Sequence, residues 1–255
     1  MSFITLTKEN IDKEHICCAF SDKKSKEGYE AKKHYLREQI EKGYVFTKLD
    51  ERAKVFIEYC PCEVAYLPIV ASNFMVINCF WVSGKYKGKG YAKELLNKCI
   101  EDSKAKGKDG IVVLSSDKKR SFMSDKKFFL KYDFQICDRA NPYFELLYLK
   151  LTQNPNTIIP KFKDTAKTGN CEDNGGFIVY YSNQCPYMNY YIDLQCRIAK
   201  EQGIVYEKVL IDSREKAMNN PSPFTIYSLF YKGKFITQEL TAEKKFMKII
   251  ESVKG

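Results

Sequence analysis

Three stretches of the 255-residue chain carry residue types able to do chemistry. The first is Ser83-Gly84-Lys85-Tyr86-Lys87-Gly88-Lys89-Gly90-Tyr91-Ala92, which follows the apolar run Phe74–Val82 and precedes Leu95, Leu96, Cys99 and Ile100 at helical spacing. A glycine-rich loop that opens a helix gathers unpaired backbone N–H groups at the positive end of the helix, so it suits an anion such as a phosphate. By itself the same pattern reads equally as a bare tight turn. It is not a Walker-A loop, because no Gly-Lys-Ser/Thr closes it, and its spacing is not the dinucleotide fingerprint. The second stretch is Glu58 between Ile57 and Tyr59, either an exposed strand residue or, if partly buried, a general base. In the third, Cys185-Pro186-Tyr187-Met188 starts a helix, and a thiol at a helix N-terminus is expected to be acidified toward thiolate.

The order of elements needed to hold these groups is legible from periodicity. A short leading strand is followed by a helix Lys8–Phe20 with Thr7 as N-cap, and by a second helix from Gly28 to Lys42 that stops at Gly43. Tyr44–Leu49 and Lys54–Tyr59 read as a hairpin around Asp50-Glu51-Arg52. Phe74–Val82, broken only by Asn78, reads as a strand buried on both faces. Ile111–Ser115 makes the next strand, so strand, loop-helix and strand form a unit with a right-handed crossover. A helix Asp125–Tyr132 and strands Phe134–Cys137 and Tyr143–Lys150 close this half. From Thr152 to Gly176 the chain turns to Asn, Pro, Lys, Thr and Gly, the composition of a connecting segment. A second unit then runs as strand Phe177–Tyr181, helix Tyr187–Gln202, strand Val205–Ile211, helix Arg214–Asn219, a hairpin around Lys232-Gly233-Lys234 and a last helix from Thr241.

With these residues in view, the first half resembles the GNAT superfamily of N-acetyltransferases. Lys87-Gly88-Lys89-Gly90-Tyr91-Ala92 resembles that family's acyl-CoA loop, Gln/Arg-x-x-Gly-x-Gly/Ala, with Lys87 where Gln or Arg is usual. Phe128-Phe129-Leu130-Lys131-Tyr132-Asp133-Phe134 is similar to its Phe-Tyr-x-x-x-Gly-Phe segment. The resemblance implies acetyl-CoA as co-substrate. It implies that the amides of Lys87, Gly88, Lys89, Gly90, Tyr91 and Ala92 hold the pyrophosphate and that the Val82 and Ser83 backbones pair with the pantetheine arm. The family's general-acid Tyr falls at Phe129, and a strand position where some members carry a Glu base is Val76. Tyr132, one helical turn on, is either core or a substitute acid, and Glu58 is the remaining candidate base. Water relaying the proton between well-positioned amine and thioester needs neither side chain.

The second half resembles the thioredoxin/glutaredoxin fold. Cys185-Pro186 stands for its Cys-Pro-x-Cys loop, Met188 replaces the resolving Cys, and Pro223 matches the cis-Pro; without the second thiol only a monothiol role, or packing, remains. Both halves together resemble the YoaP-type proteins of bacteria. The expected architecture is α/β: a GNAT-type mixed sheet with flanking helices over residues 1–151, a linker over 152–176, and a small thioredoxin-like α/β domain over 177–255. The expected activity is N-acetyl transfer to a small-molecule amine or a peptide. The alternatives are a monothiol redox or thiol-binding module that works through Cys185 with an acyl-CoA-sensing first half, and a CoA-binding protein without turnover.

Composition bounds these readings. The chain has 42 Lys+Arg against 32 Asp+Glu, a net charge of +10, with 44% hydrophobic and 14% aromatic residues, which suits a packed protein rather than a disordered one. The excess charge is dispersed Lys, without the Arg-rich or aromatic-interleaved stripe of a nucleic-acid binder. No apolar run has the length of a membrane span, and Met1–Asn10 lacks the pattern of a secretory signal, so the cytosol is expected. Ten cysteines in a reducing compartment read as buried thiols, and neither Cys60-Pro61-Cys62 nor Cys17-Cys18 has zinc-site spacing, so no metal is expected.

Overall fold

The computed structural model describes residues 2–254. A seven-stranded mixed sheet forms the first half from β1 (Phe3–Thr5), β2 (Val45–Leu49), β3 (Val55–Pro61), β5 (Phe74–Val82), β6 (Gly110–Ser116), β7 (Gln135–Ala140) and β8 (Phe144–Lys150), in the order β1-β2-β3-β5-β6-β8-β7. Neighbours are antiparallel except β5 and β6, which run parallel across the crossover helix α2 (Tyr91–Ala105).

Alternation along the strands sorts side chains onto two faces. Val55, Ile57, Met75, Ile77, Ile111, Val113 and Leu147 pack with Leu95, Leu96 and Cys99 of α2 and with Phe129 of α3 (Lys126–Leu130). Phe56, Cys60, Phe74, Val76, Val112 and Leu146 point the other way, toward Tyr35 and Leu36 of α1 (Lys26–Ile40) and toward Ile211, Ala217 and Phe224 from the second half. Helix α1 starts just beyond a turn capped by Asp22, whose side chain accepts from the Lys24 amide, and it ends where Gly43 adopts φ +91°.

The expected helix Lys8–Phe20 is not formed. This segment is a series of turns: Asn10 Oδ1 accepts from the Thr7 amide, and Cys17 and Ala19 sit at φ +63° and +56°, a conformation that ends any helix. Its apolar positions, Ile11, Ile16 and Cys17, are nonetheless buried, so the 3.6-residue pattern marked burial and not a helix.

The second half is a four-stranded sheet of order β11-β10-β12-β13, with β10 (Phe177–Tyr181), β11 (Tyr206–Leu210), β12 (Tyr227–Tyr231) and β13 (Lys234–Thr237). β10 is parallel to β11 across α4 (Met188–Glu201) and antiparallel to β12, and a two-residue turn with Lys232 and Gly233 both at positive φ joins β12 to β13. Helices α5 (Arg214–Met218) and α6 (Glu243–Lys254) complete it. Residues 152–176 carry β9 (Lys161–Phe162), paired with β4 (Ile69–Val70), and Phe162 and Ala166 within them are fully buried.

Candidate functional site

The sheet opens where the chemistry was expected. β5 and β6 pair only over Phe74–Ile77 and Gly110–Val113, although both strands continue. Beyond Ile77 the β3–β5 register slips, with Tyr59 opposite Ile77 and Glu58 opposite Cys79, so Asn78 is an extra residue in β5. Such a bulge bends its strand. Past it β5 stays with β3, while β6 follows β8 through Leu114, Ser115 and Ser116, and the two parallel strands part into a wedge.

Val82 ends β5 at the outer rim of this wedge, and the Ser83 amide donates back to the Lys54 carbonyl at 3.1 Å. The loop that follows is held from beneath by Tyr86, buried, whose hydroxyl donates to Glu51 at 2.6 Å, and by Tyr86 and Tyr91 ring packing at 5.9 Å. Gly84, Gly88 and Gly90 have φ of +59°, +74° and +86°, and a Cβ on any of them would meet only open space. Glycine is therefore needed for backbone shape, which leaves the amides open to a ligand. Gly90 is the N-cap of α2, and the helix's first backbone bond is donated by Glu94. Among the described residues the amides of Gly88, Lys89, Gly90 and Ala92 donate to no protein acceptor. Lys85, Lys87 and Lys89 are exposed around them. A diphosphate fits this cradle in shape and sign.

The other candidates fall on opposite faces of the sheet. Glu58 is 1% exposed, which overturns the exposed-strand reading. Its Oε1 accepts from Lys32 Nζ at 2.5 Å and its Oε2 from the Tyr44 hydroxyl at 2.7 Å. Burial alone would push the Lys32 ammonium down, but the Glu58 carboxylate outweighs it and holds the proton on firmly. Cys79, across the strand pair from Glu58, and Cys18 and Cys185 lie close enough to feel this charge pair. Tyr132 lies just past α3 on the opposite face, its ring tilted against Phe128 at 4.9 Å; Phe128 in turn meets Phe80, two residues beyond the bulge, at 5.2 Å. Phe129 is fully buried.

Cys185 departs from expectation. Helix α4 begins at Met188, three residues later. Burial pushes the thiol up to about 12, the neighbouring Cys18 adds to the rise, and an amide bond from Tyr187 opposes it only in part. Desolvation overrides the helix end, and the thiol stays protonated. Pro223 also differs: among the described residues the cis peptide is Asn141–Pro142, so the Pro223 bond is trans.

A cavity of about 40 Å³ lies at the inner end of the wedge. Val76, Asn78 and Leu114 form its floor, and Gln184 and the segment Pro223–Ile226 of the second half roof it. Sequence reading did not assign Gln184 or Asn78 a role. Asn78 had a visible signal, since it is the one polar break in an apolar strand.

A protein named "Uncharacterized N-acetyltransferase YoaP", from Bacillus subtilis (strain 168), is 41% identical to this chain over 253 residues, covering 99% of this chain and all of that protein. The model of the acetyltransferase (GNAT) family matches residues 10–125, and that of the YoaP-like family matches residues 208–248. The chain belongs to the GNAT acetyltransferase family. Among solved structures, an aminoglycoside 6′-N-acetyltransferase complexed with coenzyme A matches 61% of this chain and all of its own at 12% identity and a TM-score of 0.44. A GNAT-family N-acetyltransferase (YhbS) of Escherichia coli in complex with CoA matches 64% of this chain and 89% of its own at 13% identity and 0.42. As a GNAT protein the chain is an acyltransferase with acetyl-CoA as co-substrate. Among the described residues no helix is long and apolar enough to cross a membrane.

Proposed function

We propose that the GNAT unit, residues 1–151, binds acetyl-CoA with its pyrophosphate on the amides of residues 87–92 and its pantetheine arm in the wedge, beside the Val82 and Ser83 backbones. The thioester then sits near the Asn78 bulge, and the unit at 177–255 roofs the acceptor side, with 152–176 joining the two. The observation that carries this reading is the wedge itself, which leaves strand edges free between a phosphate-sized cradle and a cavity.

The acceptor is an amine, of a small molecule or a peptide, and no nucleic acid is involved. Tyr132, on the cofactor-helix face, is the candidate proton donor to the departing thiolate. Glu58 has both oxygens engaged by Lys32 and Tyr44, which favours anchoring α1 over acting as a base, and proton removal then falls to water. The thioredoxin-like description of the second unit is supported by its strand–helix–strand–helix–hairpin–helix order. Its partly buried Cys185, with a thiol that stays protonated, favours packing over a monothiol reaction. Ten free thiols fit a reducing cytosol.

Calorimetric titration with acetyl-CoA tests the cradle. Gly90→Asp should weaken binding about tenfold or more, since a carboxylate about 4 Å from the pyrophosphate costs roughly 1–4 kcal/mol. Gly90→Ala, which carries only the backbone strain, should lose less. Equal affinity for Gly90→Asp and the unaltered chain sinks the assignment.

A further inference from the structure

The roofed cavity at the inner end of the wedge has a chemistry of its own. Its lining, from both halves, is apolar and aromatic apart from a few neutral polar groups, and it contains no charged side chain. Gln184 is 6% exposed, and its Nε2 donates to Ser182 at 2.9 Å and to Thr225 at 3.2 Å. The Thr225 hydroxyl spends its own hydrogen on the Tyr66 carbonyl, so toward Gln184 it can only accept. That fixes the amide nitrogen toward Thr225 and turns Oε1 away. Among the described residues Gln184 Oε1 has no hydrogen-bond donor, although the residue lines the cavity and is more than nine-tenths buried. Asn78 repeats the arrangement from the floor, with Nδ2 directed at Cys60 Sγ (3.2 Å) and the Val76 carbonyl (3.5 Å), and no donor to Oδ1 among the described residues.

We propose that this cavity is the acceptor site and that it takes a compact primary amine whose body is uncharged and apolar, the amine N–H groups donating to Gln184 Oε1 and Asn78 Oδ1. The assignment rests on the placement of the thioester at the bulge. Two acceptors that engage only N–H hydrogens leave the nitrogen lone pair free. A cavity without a carboxylate offers the ammonium no counter-charge and so favours the neutral amine, the form that attacks. In the reaction the amine nitrogen bonds to the acetyl carbon and the carbon–sulfur bond breaks. The amine proton leaves through water, and the thiolate takes up one proton to give CoA. A second cationic group on the acceptor would have no counter-ion here, so polyamines are excluded, and about 40 Å³ admits an amine head with a few carbons.

The test uses the full chain in two arms. In the first, CoA release is followed with isobutylamine, spermidine and an uncharged-side-chain hexapeptide. In the second, isobutylamine binding to the CoA-loaded chain is measured by calorimetry. Isobutylamine should be acetylated with at least tenfold higher kcat/KM than either other amine. Gln184→Met should weaken its binding about tenfold or more while acetyl-CoA affinity holds. Spermidine or the peptide as the better acceptor overturns the proposal, as does a Gln184→Met chain that binds isobutylamine normally. Should Gln184→Met fail to fold, the ranking of amines on the unaltered chain decides. Amine binding without turnover upholds the cavity and counts against the thioester placement instead; no amine binding overturns the cavity assignment even if transfer occurs.

Discussion

Lys32 and Glu58 form a charge pair that is almost fully buried, 2% and 1% exposed, with Tyr44 completing its hydrogen bonds. Glu58→Gln keeps a partner for Tyr44 but strands the Lys32 ammonium in a dry core, and breaking such a pair typically costs about 3–5 kcal/mol. Lys32→Met with Glu58→Leu removes both charges and should recover most of that loss in a urea titration. The same double variant separates structure from catalysis: retained kcat shows Glu58 is no base, and a stable but inactive chain restores that role. Cys185 makes a prediction with a sign. Its thiol is held at about 12 against an ordinary 9.0, so the folded state grips the proton more tightly. Its contribution to stability is present below pH 9 and is lost as pH rises toward 12. Alkylation of Cys185 should keep accelerating between pH 10 and 11, where a free thiol has levelled off; a plateau by pH 10 would contradict the raised thiol.

Helix α1 meets the second half so closely that side-chain size decides the fit. A Cβ on Gly28 would lie 2.1 Å from the Pro186 carbonyl oxygen, a backbone atom that cannot swing aside. Gly28→Ala should therefore destabilise by about 1–3 kcal/mol despite alanine's better helix propensity, lowering Tm by roughly 2–4 °C per kcal/mol. An unchanged or raised Tm would mean the helix propensity gain prevails and the approach is looser. Gly28 read as a mere helix start in sequence because close approach across 158 residues leaves no local mark. Elements with strong local signals were legible: Phe74–Val82 was bounded to the residue, as a long apolar run between turn formers. The loop-helix at residues 83–105 was equally clear from its glycines. The false helix at residues 8–20 failed because left-handed backbone at Cys17 and Ala19 carries no glycine to announce it. The cavity residues were least legible, since Gln184 gains meaning only when Thr225, 41 positions on, fixes its amide.

At the scale of the molecule, the two halves share one interior. Ile211, Ala217 and Phe224 belong to the same buried cluster as Tyr35, Phe56 and Val76. The Tyr66 hydroxyl donates to the Asp212 carbonyl at 2.7 Å, the Thr225 hydroxyl to the Tyr66 carbonyl, and Gln238 pairs with Tyr143 and with the Ser121 carbonyl. Neither half can leave without exposing apolar surface and orphaned polar groups on the other, so unfolding should be one cooperative transition. The single tryptophan makes this measurable, because Trp81 lies on β5 in the first half, far in sequence from the roof. Phe224→Ala, a truncation 6% exposed in the second half, should cost about 3–5 kcal/mol. The Trp81 fluorescence midpoint should fall by the same amount as the calorimetric one. Two transitions, with the Trp81 midpoint unmoved by Phe224→Ala, would show that the halves fold independently. The roof would then be free to swing off the acceptor cavity, and the site would have to be described as one that opens.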